Sequence, residues 1–143
     1  MKKLIMLLLI STVLSGCSFI EETNNTLDYA TEATEYLNEL SSFTEEVPGL
    51  VDQAVSDPAV QEDLKSHFIA LEESIADFNA IDVPELAEGL HQNFTEKNQQ
   101  LLDITSNVIQ NGEVAVEKLE ESELFQTIET ITELQNQIED LGF

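Results

Sequence analysis

Residues 56–78, SDPAVQEDLKSHFIALEESIADF, contain the clearest helical pattern in the chain. Ser56 and Asp57 offer side-chain oxygens that can cap a helix, and Pro58 suits its first turn. The apolar residues that follow recur at steps of three and four, which places them on one helical face: Val60, Leu64, Phe68, Leu71, Ile75 and Phe78. The stretch predicts an amphipathic helix that packs against a core.

A similar stripe precedes this stretch. It predicts a first helix that begins near Leu27, and its apolar residues are Tyr29, Ala33, Tyr36, Leu40, Phe43 and Val47. We expect Pro48-Gly49 to end this helix, because proline lacks a backbone N–H and glycine weakens helices. Residues 50–55 then suit a short amphipathic turn. Tyr29, Tyr36 and Phe43 lie seven residues apart, so this aromatic line is either a partner-binding face or the core edge of the helix.

Two further segments follow the quoted stretch. Asp82-Val83-Pro84 repeats the start signal and predicts a third helix, with an inner face of Leu86, Leu90, Phe94, Leu101, Ile104 and Val108. Lys97, Asn98 and Gln99 interrupt that face and indicate either a polar layer or a gap in burial. Asn111-Gly112 predicts its end, because both residues tolerate a left-handed backbone. A last helical segment, with Ser122 as a possible cap, extends to Leu141, and no stretch has the alternation of a strand.

These patterns predict an all-α fold. About four amphipathic helices joined by short turns favour an up-down helical bundle over residues 27–143. The alternative is a three-helix coiled coil whose first segment stays separate or pairs with a second copy. The mature chain is long enough for one small domain, and one cysteine in the whole sequence excludes a disulfide framework.

The N-terminus has the three parts of an export signal. Lys2 and Lys3 are followed by an unbroken apolar run, residues 4–10, which is much shorter than a membrane-spanning helix. The sequence Leu14-Ser15-Gly16-Cys17 then resembles the lipobox of bacterial lipoproteins. The resemblance implies a signal peptide over residues 1–16, a diacylglyceryl group on the thiol of Cys17, and cleavage before that residue. Residues 17–26 are expected to form a lipidated tether, which fully extended would reach roughly 30 Å.

The charge of the chain is strongly negative, with 29 acidic residues, five lysines and no arginine. Loss of Lys2 and Lys3 with the signal peptide would bring the formal charge to about −26. Such a charge repels phosphate backbones and anionic headgroups, so we expect no nucleic-acid partner. Basic proteins or envelope components are the expected partners, beside the membrane that holds the lipid anchor. The charge alternatively serves only solubility.

Three stretches of the mature chain carry a further resemblance: Phe78-Asn79-Ala80-Ile81-Asp82-Val83-Pro84, Leu90-His91-Gln92-Asn93 and Glu123-Leu124-Phe125-Gln126-Thr127-Ile128. With them, the chain from about Leu27 to its end resembles a family of small acidic lipoproteins of spore-forming Gram-positive bacteria. The resemblance implies a location at the outer face of a Gram-positive cell membrane, and it implies no activity.

Catalytic and metal-binding patterns are weak. His67 and His91 each neighbour a core position and are expected at the boundary of the core. Glu88 and His91 have the Glu-x-x-His spacing of di-iron bundles, but the sequence has no second copy and no inward glutamates, so we expect no metal site. No serine lies in a Gly-x-Ser-x-Gly elbow, and we expect neither an enzyme nor a cofactor other than the covalent lipid.

The sequence therefore favours a membrane-anchored, non-enzymatic module that binds a protein or an envelope component. The alternative is a helical bundle that binds a small apolar or cationic ligand in an internal cavity.

Overall fold

A computed structural model describes the backbone of residues 16–141 and the side chains of residues 24–141. Three long helices come first: α1 (Gly16–Ala54), α2 (Pro58–Asn79) and α3 (Glu88–Val108). A 3₁₀ turn (Glu85–Ala87) precedes α3. The strands β1 (Ile109–Gln110) and β2 (Glu113–Val114) follow, and the chain ends in three short helices, α4 (Val116–Glu120), α5 (Leu124–Thr132) and α6 (Gln135–Glu139). The fold is about 81% helical, which confirms the all-α helical bundle.

The signal peptide predicted over residues 1–16 lies almost wholly outside the described residues, as do Leu14 and Ser15. Gly16 and Cys17 belong to the backbone of α1. The segment predicted as a tether is helical where it is described, so residues 17–26 span about 15 Å instead of the roughly 30 Å of an extended chain. Thr26, at the end of this segment, is already buried.

The predicted end of the first helix at Pro48-Gly49 is wrong, because α1 continues through both residues to Ala54. Proline removes one backbone hydrogen bond, but the burial of Val47, Val51 and Ala54 on either side of it holds the helix against the core. Residues 50–54, expected to form a separate turn, are therefore the last turn of α1.

The start of α2 has the predicted chemistry. The Asp57 carboxylate accepts a hydrogen bond of 2.9 Å from the backbone N–H of Ala59, and Pro58 occupies the first turn. Five residues of the stripe are buried, and Val60 is half-buried against them. The two helices on either side of this turn are antiparallel and make the most extensive contact in the fold.

The third segment starts later than expected. Pro84 is followed by the 3₁₀ turn, and α3 begins only at Glu88. Leu86 was predicted on the inner face, but it lies on the outside of this turn and is 64% exposed. Ala87 is buried in its place.

The prediction that the chain has no strand is wrong at one place, and the last helix is interrupted. Asn111 and Gly112 have φ values of 54° and 82° and form the turn of a two-stranded antiparallel hairpin that pairs Ile109 with Val114. The residue types Asn-Gly predict the left-handed backbone there, but they do not predict the pairing across it. After the hairpin, Leu119, Leu124, Ile128, Ile131 and Ile138 contribute to the core from three short helices instead of one long helix.

Candidate functional site

The aromatic line on α1 lies in the core. Tyr29, Tyr36 and Phe43 are 1%, 3% and 6% exposed, so their faces are not free for a partner. The partner-face hypothesis is therefore wrong: rings of α2 and α3 cover Tyr29 and Tyr36, and rings of α2 and α5 cover Phe43. Tyr36 stacks on Phe78 with ring centroids 4.3 Å apart, and Phe43 meets Phe68 edge-on at 5.4 Å.

A polar group lies among these rings. Asn98 of α3 is fully buried; its side-chain oxygen accepts a hydrogen bond from the Tyr36 hydroxyl, and its amide donates to the side chain of Asn79 at 2.8 Å. Burial raises the pKa of the Tyr36 phenol, the hydrogen bond with Asn98 opposes this rise, and the negative charge of Glu39 adds to it. The polar layer proposed for the middle of the third helix is therefore present, and Asn98 supplies its buried residue.

His91 occupies the edge of the same cluster. Its Nδ1 atom is 3.5 Å from the Tyr29 hydroxyl, and its ring centroid is 5.2 Å from that of Phe78. Burial lowers the pKa of the imidazole, and a hydrogen bond with the Asn79 backbone opposes this change. Since Glu88 is exposed while His91 packs against rings, the Glu-x-x-His pair does not converge on a shared ligand.

An open groove runs along the outer side of the α1–α2 pair. Its volume is about 690 Å³. Aromatic and aliphatic side chains form its floor, among them Tyr36, Phe43, Leu71 and Phe78. Six carboxylates line it, and we call the whole feature the acidic groove: Glu32, Glu35, Glu39 and Glu46 from α1, with Glu73 and Asp77 from α2.

Two contacts cross this groove and fix the register of its walls. The Ser74 hydroxyl donates a hydrogen bond to the Glu39 carboxylate. Nearer the α1–α2 turn, His67 Nδ1 lies 3.6 Å from a carboxylate oxygen of Glu46. His67 is the one basic side chain among the lining residues, which include no lysine. The groove is therefore a strip of negative charge above an apolar floor.

Among residues 24–141, no group of three or more His, Cys, Asp or Glu side chains is placed to hold a metal ion. His67 faces a carboxylate, and His91 faces a phenol and aromatic rings. The carboxylates of the groove wall are exposed and can attract a cation without a preformed coordination shell.

The row of glutamates on the α1 side of this groove is visible in the sequence. Glu32, Glu39 and Glu46 are seven residues apart, each three residues after a member of the aromatic line, so one row lies beside the other on the helix. The pairing of α1 with α2, which supplies the second wall, could not be read from this spacing. The predicted lipidation site, Cys17, has no described side chain. No helix in the described part of the chain is both long and apolar enough to cross a membrane.

Comparisons with known proteins place the chain in a family. A protein of Bacillus subtilis (strain 168) that is described as the uncharacterized lipoprotein YybP is 33% identical over 130 residues, which cover 89% of this chain and 88% of that protein. No solved structure matches the chain. The resemblance to an uncharacterised lipoprotein family is confirmed. A family model matches residues 29–141, nearly the whole helical bundle, and the chain therefore belongs to the family of unknown function DUF6376.

Proposed function

We propose that this protein is a lipoprotein anchored by lipid on the outer face of the cell membrane, and that it binds a basic protein or envelope component through the acidic groove. The observation that carries the proposal is the groove itself: six carboxylates and no lysine line a groove about 690 Å³ in volume above an apolar floor. A cationic partner gains Coulomb attraction along the whole strip.

The anchor is supported by two independent facts. The residues Leu14-Ser15-Gly16-Cys17 follow an apolar run as in lipobox signals, and the relative from Bacillus subtilis is described as a lipoprotein. Because α1 is helical from Gly16, a lipid on Cys17 would be joined to the bundle by helix and not by an extended linker. Tyr29, the first large residue of the core, lies about 18 Å along the helix from Cys17. The groove would then operate close to the membrane.

A small cationic ligand is the second candidate. The volume of the groove, about 690 Å³, lies within the range of roughly 300–1,000 Å³ that is typical of small-molecule sites. The groove is open to solvent, unlike the internal cavity expected from the sequence. If a linear polyamine is the ligand, it should raise the melting temperature in a concentration-dependent manner. An unchanged melting temperature at millimolar polyamine would contradict this candidate.

The main proposal is tested by crosslinking on intact cells with a reagent that does not cross membranes, followed by mass spectrometry. Four forms are compared: the wild type, a Cys17→Ser form that cannot be lipidated, and two triple variants. The groove triple variant carries Glu32→Gln, Glu39→Gln and Glu46→Gln. The control triple variant carries Glu120→Gln, Glu121→Gln and Glu133→Gln at exposed positions outside the groove. Both triples remove three negative charges and keep the side-chain size.

We expect one envelope protein to be recovered with the wild type and with the control triple variant. Its recovery should fall sharply with the groove triple variant, and the Cys17→Ser form should be lost from the membrane fraction. Equal recovery with both triple variants would show that the groove is not the binding surface. If no form recovers a partner above background, the binding module itself is contradicted.

A further inference from the structure

The carboxylates on the α1 wall of the acidic groove are spaced so that side chains of a second helix could pair with them. Glu32, Glu39 and Glu46 repeat at seven residues, so each lies two helical turns, or about 10.5 Å, from the next. From Glu32 to Glu46 the wall is about 21 Å long, which corresponds to four turns. Positions seven residues apart rotate around the helix axis by about 20° per repeat, or about 40° from Glu32 to Glu46, so the three carboxylates stay on one side of the groove.

The second wall runs alongside the first in the opposite direction. Tyr36 stacks on Phe78, Glu39 is hydrogen-bonded to Ser74, and Glu46 faces His67. The residue numbers rise along α1 as they fall along α2, so the two helices stay side by side over the full length of the groove. Asp77 and Glu73, one turn apart on α2, add carboxylates to the second wall near the middle of the groove, beside the contacts of Tyr36 with Phe78 and of Glu39 with Ser74. A ligand in the groove would thus meet negative charge on both flanks.

None of this negative charge is neutralised by a lysine of the described chain. Lys65 forms its ion pair with Glu62 at 3.3 Å, outside the groove. Lys97 and Lys118 do not line it either. His67, the basic side chain among the lining residues, lies only at the end near Glu46.

From these features we infer that the acidic groove accepts a basic amphipathic helix of about four turns from a partner protein. This inference rests on the proposed function and names the kind of partner. The partner helix would lie along α1 and α2, and its lysines or arginines would recur every seven residues on both flanks of a narrow apolar stripe. Cations on the α1 flank would then face Glu32, Glu39 and Glu46, and cations on the α2 flank would lie nearest Glu73 and Asp77, like the flanking charges of coiled coils.

The exposed fractions of the floor decide which interaction dominates. Tyr36, Leu71 and Phe78 are only 3%, 4% and 3% exposed, so a partner helix covers little apolar surface that is still in contact with water. The charged flanks must therefore supply most of the affinity and the register. Binding of this kind weakens steeply with salt, because exposed charges are screened within about 10 Å at 0.1 M.

Two synthetic peptides of 21 residues test the inference. The first forms a helix with a leucine stripe and lysines every seven residues on both flanks. The second has the same composition in a shuffled order, so that its charge is unchanged but its lysines share no helical flank. Binding is measured by fluorescence anisotropy with the lipidated protein in uncharged detergent micelles. The groove triple variant and the control triple variant are compared in the same assay, after circular dichroism has established that both are folded.

The ordered peptide should bind at least tenfold more tightly than the shuffled one. The groove triple variant should weaken its binding by roughly tenfold, as expected for the loss of three exposed charge pairs, and the control triple variant should have little effect. If both peptides bind equally and both weaken in the groove triple variant, the helical partner is refuted while cation binding by the groove stands. If neither peptide distinguishes the two triple variants, the groove is not the site, and the inference fails. The cell crosslinking then decides separately whether the protein binds a partner elsewhere.

Discussion

Asn98 joins three parts of the bundle through its side chain. It accepts a hydrogen bond from Tyr36 of α1 and donates one to Asn79 at the end of α2, and it is fully buried in α3. Replacing Asn98 with alanine should lower the free energy of unfolding by about 1–3 kcal/mol, because the Tyr36 hydroxyl would stay buried without its partner. Urea denaturation measures the change. Asn107→Ala, at an exposed position of the same helix, should change stability by less than about 0.5 kcal/mol.

A double variant separates this hydrogen bond from simple loss of packing. With Tyr36→Phe already present, Asn98→Ala no longer leaves a buried phenol unpaired. The double variant should therefore cost less than the sum of the two single variants. Additive effects would mean that the bond between the two side chains contributes nothing to stability.

The sequence indicated a polar layer at Asn98 but also allowed a gap in burial there. Spacing alone cannot decide between these interpretations, since Lys97, Asn98 and Gln99 are all polar, and only Asn98 falls on the inner face. The hydroxyl of Tyr36 and the amide of Asn79 come from other elements. Their position follows from the packing of three helices, which no local pattern specifies.

At the scale of elements, Gly49 lies within α1 although the sequence suggests a helix end there. Its position is exposed, and a Cβ atom would meet nothing within 4 Å. Gly49→Ala should therefore raise the free energy of unfolding by about 0.5–1 kcal/mol, because alanine loses less backbone entropy in a helix. The same change at Gly112, where φ is +82°, should instead destabilise the hairpin by about 1–2 kcal/mol.

Urea denaturation of both alanine variants tests the continuity of α1. A stabilised Gly49→Ala variant and a destabilised Gly112→Ala variant are expected. If Gly49→Ala were destabilising by the same amount as Gly112→Ala, the backbone at residue 49 would not be helical in solution, and α1 would end where the sequence suggests. The comparison thus measures whether packing on both sides of Pro48 outweighs its missing hydrogen bond.

Long elements were more predictable than short ones. The stripe of α2 and its cap were read correctly because the apolar spacing, the oxygen cap and the proline all agree. The hairpin at Asn111-Gly112 was missed because two residues in each strand leave no alternation to detect. Helix α2 stabilises the hairpin, because the Gln61 side chain donates a hydrogen bond of 2.8 Å to the backbone oxygen of buried Val114. Ser122 indicates the interruption between α4 and α5, and its hydroxyl accepts a hydrogen bond of 3.4 Å from the backbone N–H of Leu124, whereas no proline or glycine signals the interruption between α5 and α6.

For the whole molecule, the acidic composition favours a basic partner but does not indicate where such a partner would bind. The 29 acidic residues are spread over residues 21–140, and six of them become a groove only because α1 and α2 pack in antiparallel register. The carboxylate row of α1 was present in the sequence, but the opposite wall was not deducible from it. The charge that favours a basic partner also repels itself within the folded chain.

Attraction of a basic partner and self-repulsion of the folded chain should respond to salt in opposite directions. Raising NaCl from about 10 mM to 1 M shortens the screening length from about 30 Å to 3 Å and relieves the self-repulsion. We therefore expect the melting temperature of the lipidated protein to rise with salt, whereas the binding of the ordered lysine peptide should weaken. The control triple variant, with three fewer negative charges, should melt higher at low salt and respond less. If the melting temperature fell with salt, the few attractive pairs, such as Lys65 with Glu62, would outweigh the repulsion among carboxylates. Net charge would then not limit the stability of this fold.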